Sequence, residues 1–410
     1  MEFSGILPVT FEVLRCTLPL FDRHRSTVAP GRFKETVIVL AKGGDHVGFG
    51  ELSPLAKPLY EEQFLDAAQS VLVYLLQDLS VAIRRDGSLT SDRYREVLDS
   101  VSGWSSAKFA IDTAMADLNG RVMGLGPFGS ILNWSGIDGQ LKPVSDRLRS
   151  LDVEFGVKDF HIGLQGTSIG DFRDRESFDL IADSYRRVKI KVDAADFKEK
   201  AATDELVKFV REASSRFEVV VDFNVTGPNG ELLEQLQREE IAFFESPFRI
   251  TSIEAAKRIF DKRRYRVAFD ESLKDEQRLI DYLNEDLFDV AVLKPHRFNS
   301  LGDLISVVSR LNSRNASTEA RASYYFGGMY DTPILRRVIA ALTLLFPEGE
   351  ASDLGPDSDY FTFPLLPSVV AEGLSLKVVG GVGLSGVFVP DSGQISSVVA
   401  IKNGELNEIH

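Results

Sequence analysis

The sequence predicts an α/β protein, a βα barrel joined to a smaller α+β domain, and three observations carry that prediction. The first is a series of short apolar, β-branched runs that stop at a charge. They are Val188-Lys189-Ile190-Lys191-Val192, Val219-Val220-Val221-Asp222, Ile241-Ala242-Phe243-Phe244-Glu245, Val267-Ala268-Phe269-Asp270 and Val290-Ala291-Val292-Leu293-Lys294. The second is their spacing. From Lys191 the steps to Asp222, Glu245, Asp270 and Lys294 are 31, 23, 25 and 24 residues, room each time for one strand, one helix and two loops. Strands alternating with helical patterns in this way imply βαβ units and a parallel sheet. The third is that strands precede helices in the first third of the chain, which suits an α+β domain.

In order, residues 9–20 alternate as a strand. A polar loop runs from Phe21 to Phe33, with Pro30-Gly31 as a turn signal. Glu35 to Ala41 and His46 to Leu52 read as two strands joined at Gly43-Gly44-Asp45, a hairpin signature. Ser53 to Pro58 is a second loop, and helical stretches follow at about 60–85, 91–101 and 105–122. The last of these is rich in small residues that permit close packing. Pro127 to Trp134 reads as a linker and short helix. Phe160-His161-Ile162-Gly163-Leu164 is the candidate first barrel strand, and the polar segment Gln165 to Glu176 reads as a loop and helix start. Helices are expected over Ala202–Ala213, Ile253–Ile259, Leu301–Leu311 and Pro333–Phe346, the last with proline where its missing N–H does no harm. Ala351-Ser352-Asp353-Leu354-Gly355 is expected to end the last barrel strand. The tail from Ser368 to His410 is β-rich and is expected to return to the first domain.

A chain of 410 residues has room for two domains and a large core. Its net charge of −14 argues against nucleic acid or an anionic membrane as partner. A single cysteine, Cys16, rules out an intrachain disulfide and fits a reducing, cytoplasmic setting. No basic segment followed by an apolar core opens the chain, and no stretch of about 18 apolar residues occurs, so neither a signal peptide nor a transmembrane helix is expected.

Charges at the C-terminal ends of barrel strands are the usual place for chemistry. Asp222, Glu245 and Asp270 are three hard oxygen donors, suited to octahedral Mg²⁺, with Mn²⁺ as a substitute ion. Cysteine and histidine clusters are absent, so zinc is not expected. Three carboxylates on one rim repel one another unless a cation neutralises them. Lys189 and Lys191 are two apart in a strand and share a face, which the flanking apolar runs turn inward. Two neighbouring ammonium groups beside a metal cation should lower a lysine pKa toward that of a base. Lys294 would approach from the opposite side, the arrangement for proton removal next to a carboxylate.

On these residues the sequence resembles the enolase superfamily, its muconate-lactonizing subgroup, and within that the o-succinylbenzoate synthase and N-acylamino acid racemase branch. Lys189-Ile190-Lys191 matches the family's Lys-x-Lys. Asp222-Phe223-Asn224, Glu245-Ser246-Pro247 and Asp270-Glu271-Ser272 match its metal-ligand motifs, and Lys294-Pro295 its sixth-strand lysine. Gly327-Gly328-Met329-Tyr330-Asp331-Thr332 is similar to its Gly-Gly-Met-x-Glu-Thr/Ser segment, with Asp331 where this branch more often has Glu. Gly48-Phe49-Gly50-Glu51, Ala116-Asp117-Leu118, Ser352-Asp353 and Gly381-Val382-Gly383-Leu384 also have counterparts.

The resemblance implies a modified (β/α)7β barrel of the TIM type over 136–365. It implies a capping domain from 1–135 that the segment 366–410 rejoins. Lys191 would abstract the α-proton of a small carboxylate substrate, giving an enediolate. Lys189 would tune Lys191, and Lys294 would act as a cation or as a second acid/base. Asn224 and Glu271 would orient metal ligands. Substrate selection would fall to Gly328, Met329 and Asp331 and to two cap loops near Phe21–Phe33 and Ser53–Pro58, the latter with Pro54 and Leu55. The leading activity is that of o-succinylbenzoate synthase, a dehydration in menaquinone biosynthesis. N-acylamino acid racemisation uses the same groups, and muconate-type cycloisomerisation is third. A catalytically inactive binding protein would lack one of the six charged residues, and all six are present. Sugar-acid dehydratases of the superfamily carry a late-strand histidine, and none lies between His296 and His410. His296 itself reads as a loop residue. Family members are often dimers or octamers, so a homo-oligomer is compatible with the resemblance.

Overall fold

The computed structural model of the chain describes residues 9–21, 32–58, 61–87, 89–137, 141–181, 185–197, 199–228, 230–260, 265–317, 322–362, 368–373, 375–386, 390 and 392–409. Most of the first cap loop, residues 22–31, lies outside them.

Strands β1 (Val9–Pro19), β2 (Phe33–Gly43) and β3 (His46–Leu52) form an antiparallel meander, turned at Gly44 with φ +57°. Helices α1 (Leu65–Asp86), α2 (Ser91–Asp99) and α3 (Ser105–Met123) follow, then α4 (Pro127–Trp134) and α5 (Lys142–Glu154). The small residues of α3 do what their size allows. A Cβ added at Gly50 would sit 2.0 Å from the Ala110 carbonyl oxygen, and one at Gly48 would sit 2.2 Å from that of Ala114. Strand β3 therefore lies backbone to backbone on α3.

Strand β4 (Phe160–Gly163) is not in the barrel, contrary to the expectation from sequence. It pairs antiparallel with a later strand in a small separate sheet. Its alternation explains this: Phe160 and Ile162 are buried while His161 and Gly163 are exposed, the pattern of a strand with one wet face. The first barrel strand is β5 (Gly166–Ile169), inside the segment expected to be a loop. After α6 (Arg175–Ile181) the βα units run β6 (Arg187–Lys191), α7 (Lys200–Ser214), β7 (Glu218–Asp222), α8 (Gly230–Leu236), β8 (Ile241–Glu245) and α9 (Ile253–Phe260). They continue as β9 (Val267–Phe269), α10 (Glu276–Asn284), β10 (Val290–Leu293), α11 (Leu301–Ser317), β11 (Ser323–Phe326) and α12 (Pro333–Leu345). Seven strands, β5 to β11, are parallel and adjacent in chain order. The extended segment after α12 closes the ring. Glu350 and Asp353 donate their N–H groups to the carbonyls of Tyr324 and Phe326, and Gly166 N–H donates to Ser352 O at 2.7 Å.

The strands alternate as period two requires. Val188, Ile190, Val219, Val221 and Phe244 join the apolar layer beneath α6–α8. Val220, Phe243, Ala268, Val290, Val292 and Tyr325 fill the barrel. The same parity sends Arg187, Lys189, Lys191, Asp222 and Glu245 inward.

The tail divides. Strands β12 (Val369–Glu372) and β13 (Ser375–Val378) form the small sheet with β4, whereas β14 (Ile395–Lys402) and β15 (Glu405–Ile409) extend the N-terminal sheet through β1. No helix among the described residues is long and apolar enough to cross a membrane.

Candidate active site

Register aligns the charges that end the strands. Lys191 pairs with Asp222, and Asp222 with Glu245; Asp270 and Lys294 sit one residue past β9 and β10. Each carboxylate meets one lysine. Lys189 Nζ donates to Glu245 Oε1 at 2.8 Å, Lys191 Nζ lies 3.4 Å from Asp222 Oδ2, and Lys294 Nζ donates to Asp270 Oδ2 at 2.9 Å. Lys191, Lys294, Asn224, Glu245, Asp270, Leu55, Gly328, Met329 and Asp331 line one pocket. Pro54 is buried beside Leu55. Asn224 Nδ2 bridges both Asp222 oxygens at 3.1 Å and reaches Glu271 Oε1 at 3.3 Å, and Ser246 Oγ also donates to Glu271. Glu271 borders a neighbouring groove rather than the pocket itself.

Four non-glycine residues at the rim have positive φ: Asn224 (42°), Val225 (58°), Ser246 (45°) and Tyr330 (60°). For a β-branched valine this is a strained conformation, and strain of this kind collects at functional sites.

With only the carboxylates beside them, the lysines of β6 are shifted upward. Burial is the largest influence on Lys191 and would lower it, but the charges of Asp222, Tyr330 and Glu245 together outweigh it and the net direction is upward. Lys189 likewise goes up against its burial, driven by Asp353 and Glu245. Both are held as ammonium by the carboxylates they pair with, Lys189 by Glu245 and Asp353 and Lys191 by Asp222. Among the described residues no acidic group forms a preassembled metal cluster. The donor set nevertheless fits a hard divalent ion. Burial, together with Asp222 and Asp270 and against the pull of Lys189, raises Glu245 to about 8. The part of that shift that comes from Asp222 and Asp270 is the part an added cation would relieve.

Several pocket residues were not singled out as site residues from the sequence, although Asp353 and Tyr330 stand in motifs quoted above. Ser168 on β5, Asp353, Tyr330, Arg336 and Tyr360 line the same pocket. Asp353 accepts from Lys189 at 2.6 Å and from Arg187 Nη2 at 3.0 Å. Arg187 was open to discovery, since it stands two before Lys189 on the same face. His296 lies in the connection after β10, as the sequence suggests. It is buried in a short turn, and its Nε2 lies 2.9 Å from Glu61 of the cap.

The comparisons with known proteins follow the same lines. A family model described as Enolase C-terminal domain-like matches residues 174–317. A probable mandelate racemase from Alicyclobacillus acidocaldarius superposes with a TM-score of 0.74 at 22% identity, covering 98% of this chain and 100% of its own. A dipeptide epimerase from Cytophaga hutchinsonii, complexed with Mg and the dipeptide D-Ala-L-Val, gives 0.74 at 18%, covering 96% and 99%. A muconate lactonizing enzyme from Pseudomonas fluorescens, complexed with muconolactone, gives 0.71 at 16%, covering 96% and 98%. No curated protein matches the chain. The family model thus falls on the barrel segment, residues 174–317, and the likeness of the whole chain to these solved structures is one of fold.

Proposed function

We propose that this protein is an o-succinylbenzoate synthase-like lyase. It would remove an α-proton from 2-succinyl-6-hydroxy-2,4-cyclohexadiene-1-carboxylate and expel the neighbouring hydroxyl as water, leaving an aromatic ring. The observation that carries the reading is one pocket shared by Lys191, Lys294 and two of three adjacent strand-end carboxylates, with the third held beside it by Asn224.

Asp222, Glu245 and Asp270 would hold Mg²⁺, which supplies positive charge to the substrate carboxylate and so acidifies its α-proton. Lys191 takes that proton. Its ammonium is paired with Asp222, so the base role asks for another cation on that carboxylate. The proton can return to the hydroxyl as it departs. Lys294, arriving from β10, sets an ammonium opposite the charge that develops on the enediolate. Leu55 and Met329 form apolar walls beside these groups.

Racemisation of N-acylamino acids is the second reading. It is favoured by the presence of Lys191 and Lys294 in the same pocket, one for each face of an α-carbon.

The test is purified protein with the cyclohexadiene substrate and Mg²⁺, followed by the absorbance change on aromatisation. Lys191→Ala and an EDTA-treated sample run alongside. Metal-dependent turnover lost in the variant establishes the synthase. Absence of turnover, with α-proton exchange of an N-succinylamino acid in D₂O, moves the assignment to the racemase. Absence of both overturns the proposal.

A further inference from the structure

Beneath the strand-end charges the barrel contains a second polar layer that the reaction outlined above does not use. Tyr325, on β11, is fully buried and points inward, whereas its neighbours Tyr324 and Phe326 pack outward. Its ring is held on two sides. Phe243 stacks against it with centroids 6.1 Å apart, and the Arg187 guanidinium lies 4.1 Å from its centroid. Its hydroxyl donates to Glu245 Oε2. The other oxygen, Oε1, accepts from Lys189, which also donates to Asp353 Oδ2 at 2.6 Å.

The two oxygens of Glu245 thus have unlike partners. Lys189 has a second carboxylate to hold and can leave Oε1 without being stranded in the interior. Tyr325 is wedged between an aromatic ring and a guanidinium that Asp353 anchors. Its hydroxyl is neutral, so it fixes a carboxylate without competing for the place of a cation, as a third ammonium would.

We propose that Tyr325 is a positioning residue for Glu245. Its hydroxyl pins Oε2 from the barrel floor and leaves Oε1 as the oxygen that exchanges Lys189 for a divalent cation. The proposal rests on the reading of Asp222, Glu245 and Asp270 as metal ligands. Groups that orient ligands in this way are commonly worth about 10- to 100-fold in metal affinity.

The experiment is a calorimetric titration of the metal-free protein with Mg²⁺ alone, and a parallel Mn²⁺ titration read by electron paramagnetic resonance. Wild type, Tyr325→Phe and Tyr324→Phe are compared, each first shown to be folded by circular dichroism. The expected result is a loss of about 10- to 100-fold in affinity for Tyr325→Phe, with Tyr324→Phe unchanged. Equal affinity in wild type and Tyr325→Phe overturns the positioning role and leaves the metal reading intact. Equal losses in both variants assign the effect to packing and overturn it as well. Wild type that binds neither ion overturns the metal reading and this proposal together. Should Tyr325→Phe not fold, 3-fluorotyrosine placed at position 325 keeps the shape and makes the hydroxyl a stronger donor. An Mg²⁺ affinity that shifts then supports the proposal, and one that does not overturns it.

Discussion

Ser53 Oγ, in the cap, donates to Asp331 Oδ1, in the barrel, at 2.6 Å. The bond belongs to a buried seam. Lys34 Nζ donates to Ser53 O at 2.6 Å, and Asp331 also accepts from the Met329 N–H. Glu51 accepts from Thr332 through both N–H and Oγ1. The seam fixes Leu55 on one side of the pocket and Met329 on the other.

Ser53→Ala removes a hydroxyl and leaves a buried carboxylate oxygen short of a donor, a cost of about 1–3 kcal/mol. On a seam that frames the pocket, part of that cost falls on substrate binding. The expected outcome is roughly a tenfold loss of kcat/KM carried mainly by KM. Steady-state kinetics on the substrate identified by the aromatisation or exchange assay check it.

Removing or adding the metal should change stability. Glu245 is shifted upward by its burial and, beyond that, by the charges of Asp222 and Asp270. An ion that binds only the folded state contributes about 2.7 kcal/mol at 100 times its Kd. Saturating Mg²⁺ is therefore expected to raise the melting temperature and EDTA to abolish the rise. Asp270→Asn, which keeps the shape, should lose the increment. Melting curves of the two proteins with and without Mg²⁺ decide it.

The barrel was legible from β6 to β10 because each strand is an apolar run that ends abruptly in a charge. Strand β5 was not, since Gly166-Thr167-Ser168-Ile169 has a single apolar residue and no terminal charge, and its pairing with β6 comes from barrel closure. Phe160 and Ile162 supplied a better local strand pattern that belongs to another sheet. The lysine and carboxylate positions followed from period two. The state of the lysines did not, because it depends on which carboxylate lies nearest in space. Tyr325 was hidden for a similar reason: in Ser323-Tyr324-Tyr325-Phe326 three aromatic residues run together, and sequence alone does not say which of them turns inward.

Gly50→Ala tests the contact between β3 and α3. The new methyl would meet the Ala110 carbonyl at 2.0 Å and Ala114 Cβ at 3.0 Å. The first of these is backbone in the middle of a buried helix, so relief requires the strand to move away from the helix. Overpacking commonly costs about 1–3 kcal/mol, and a backbone clash belongs at the upper end or beyond. The expected outcome is a large fall in melting temperature. Gly87→Ala serves as comparison: no atom lies within 4 Å of its added Cβ, and only the helix C-cap φ of +67° is disturbed.

The last prediction concerns Asp112 of α3, whose carboxylate accepts from Trp134 Nε1 at 2.8 Å, Tyr94 Oη at 3.2 Å and Leu301 N–H at 2.8 Å. It fastens the cap helix to the start of α11. Burial raises its pKa from 3.8 to about 6, and the three hydrogen bonds only partly offset this. A carboxyl group with a raised folded pKa binds its proton more tightly in the folded state. Its contribution to stability is therefore full below pH 3.8 and is lost as pH rises through about 6. A shift of this size corresponds to about 3 kcal/mol. Asp112→Asn cannot ionise, so it should lack that loss, whatever constant penalty its altered hydrogen bonding adds. Denaturation of both proteins at intervals from pH 4 to 7 is expected to show the stability of wild type falling relative to the variant across this window. A constant difference at every pH would show that Asp112 keeps an ordinary pKa and that its hydrogen bonds balance its burial.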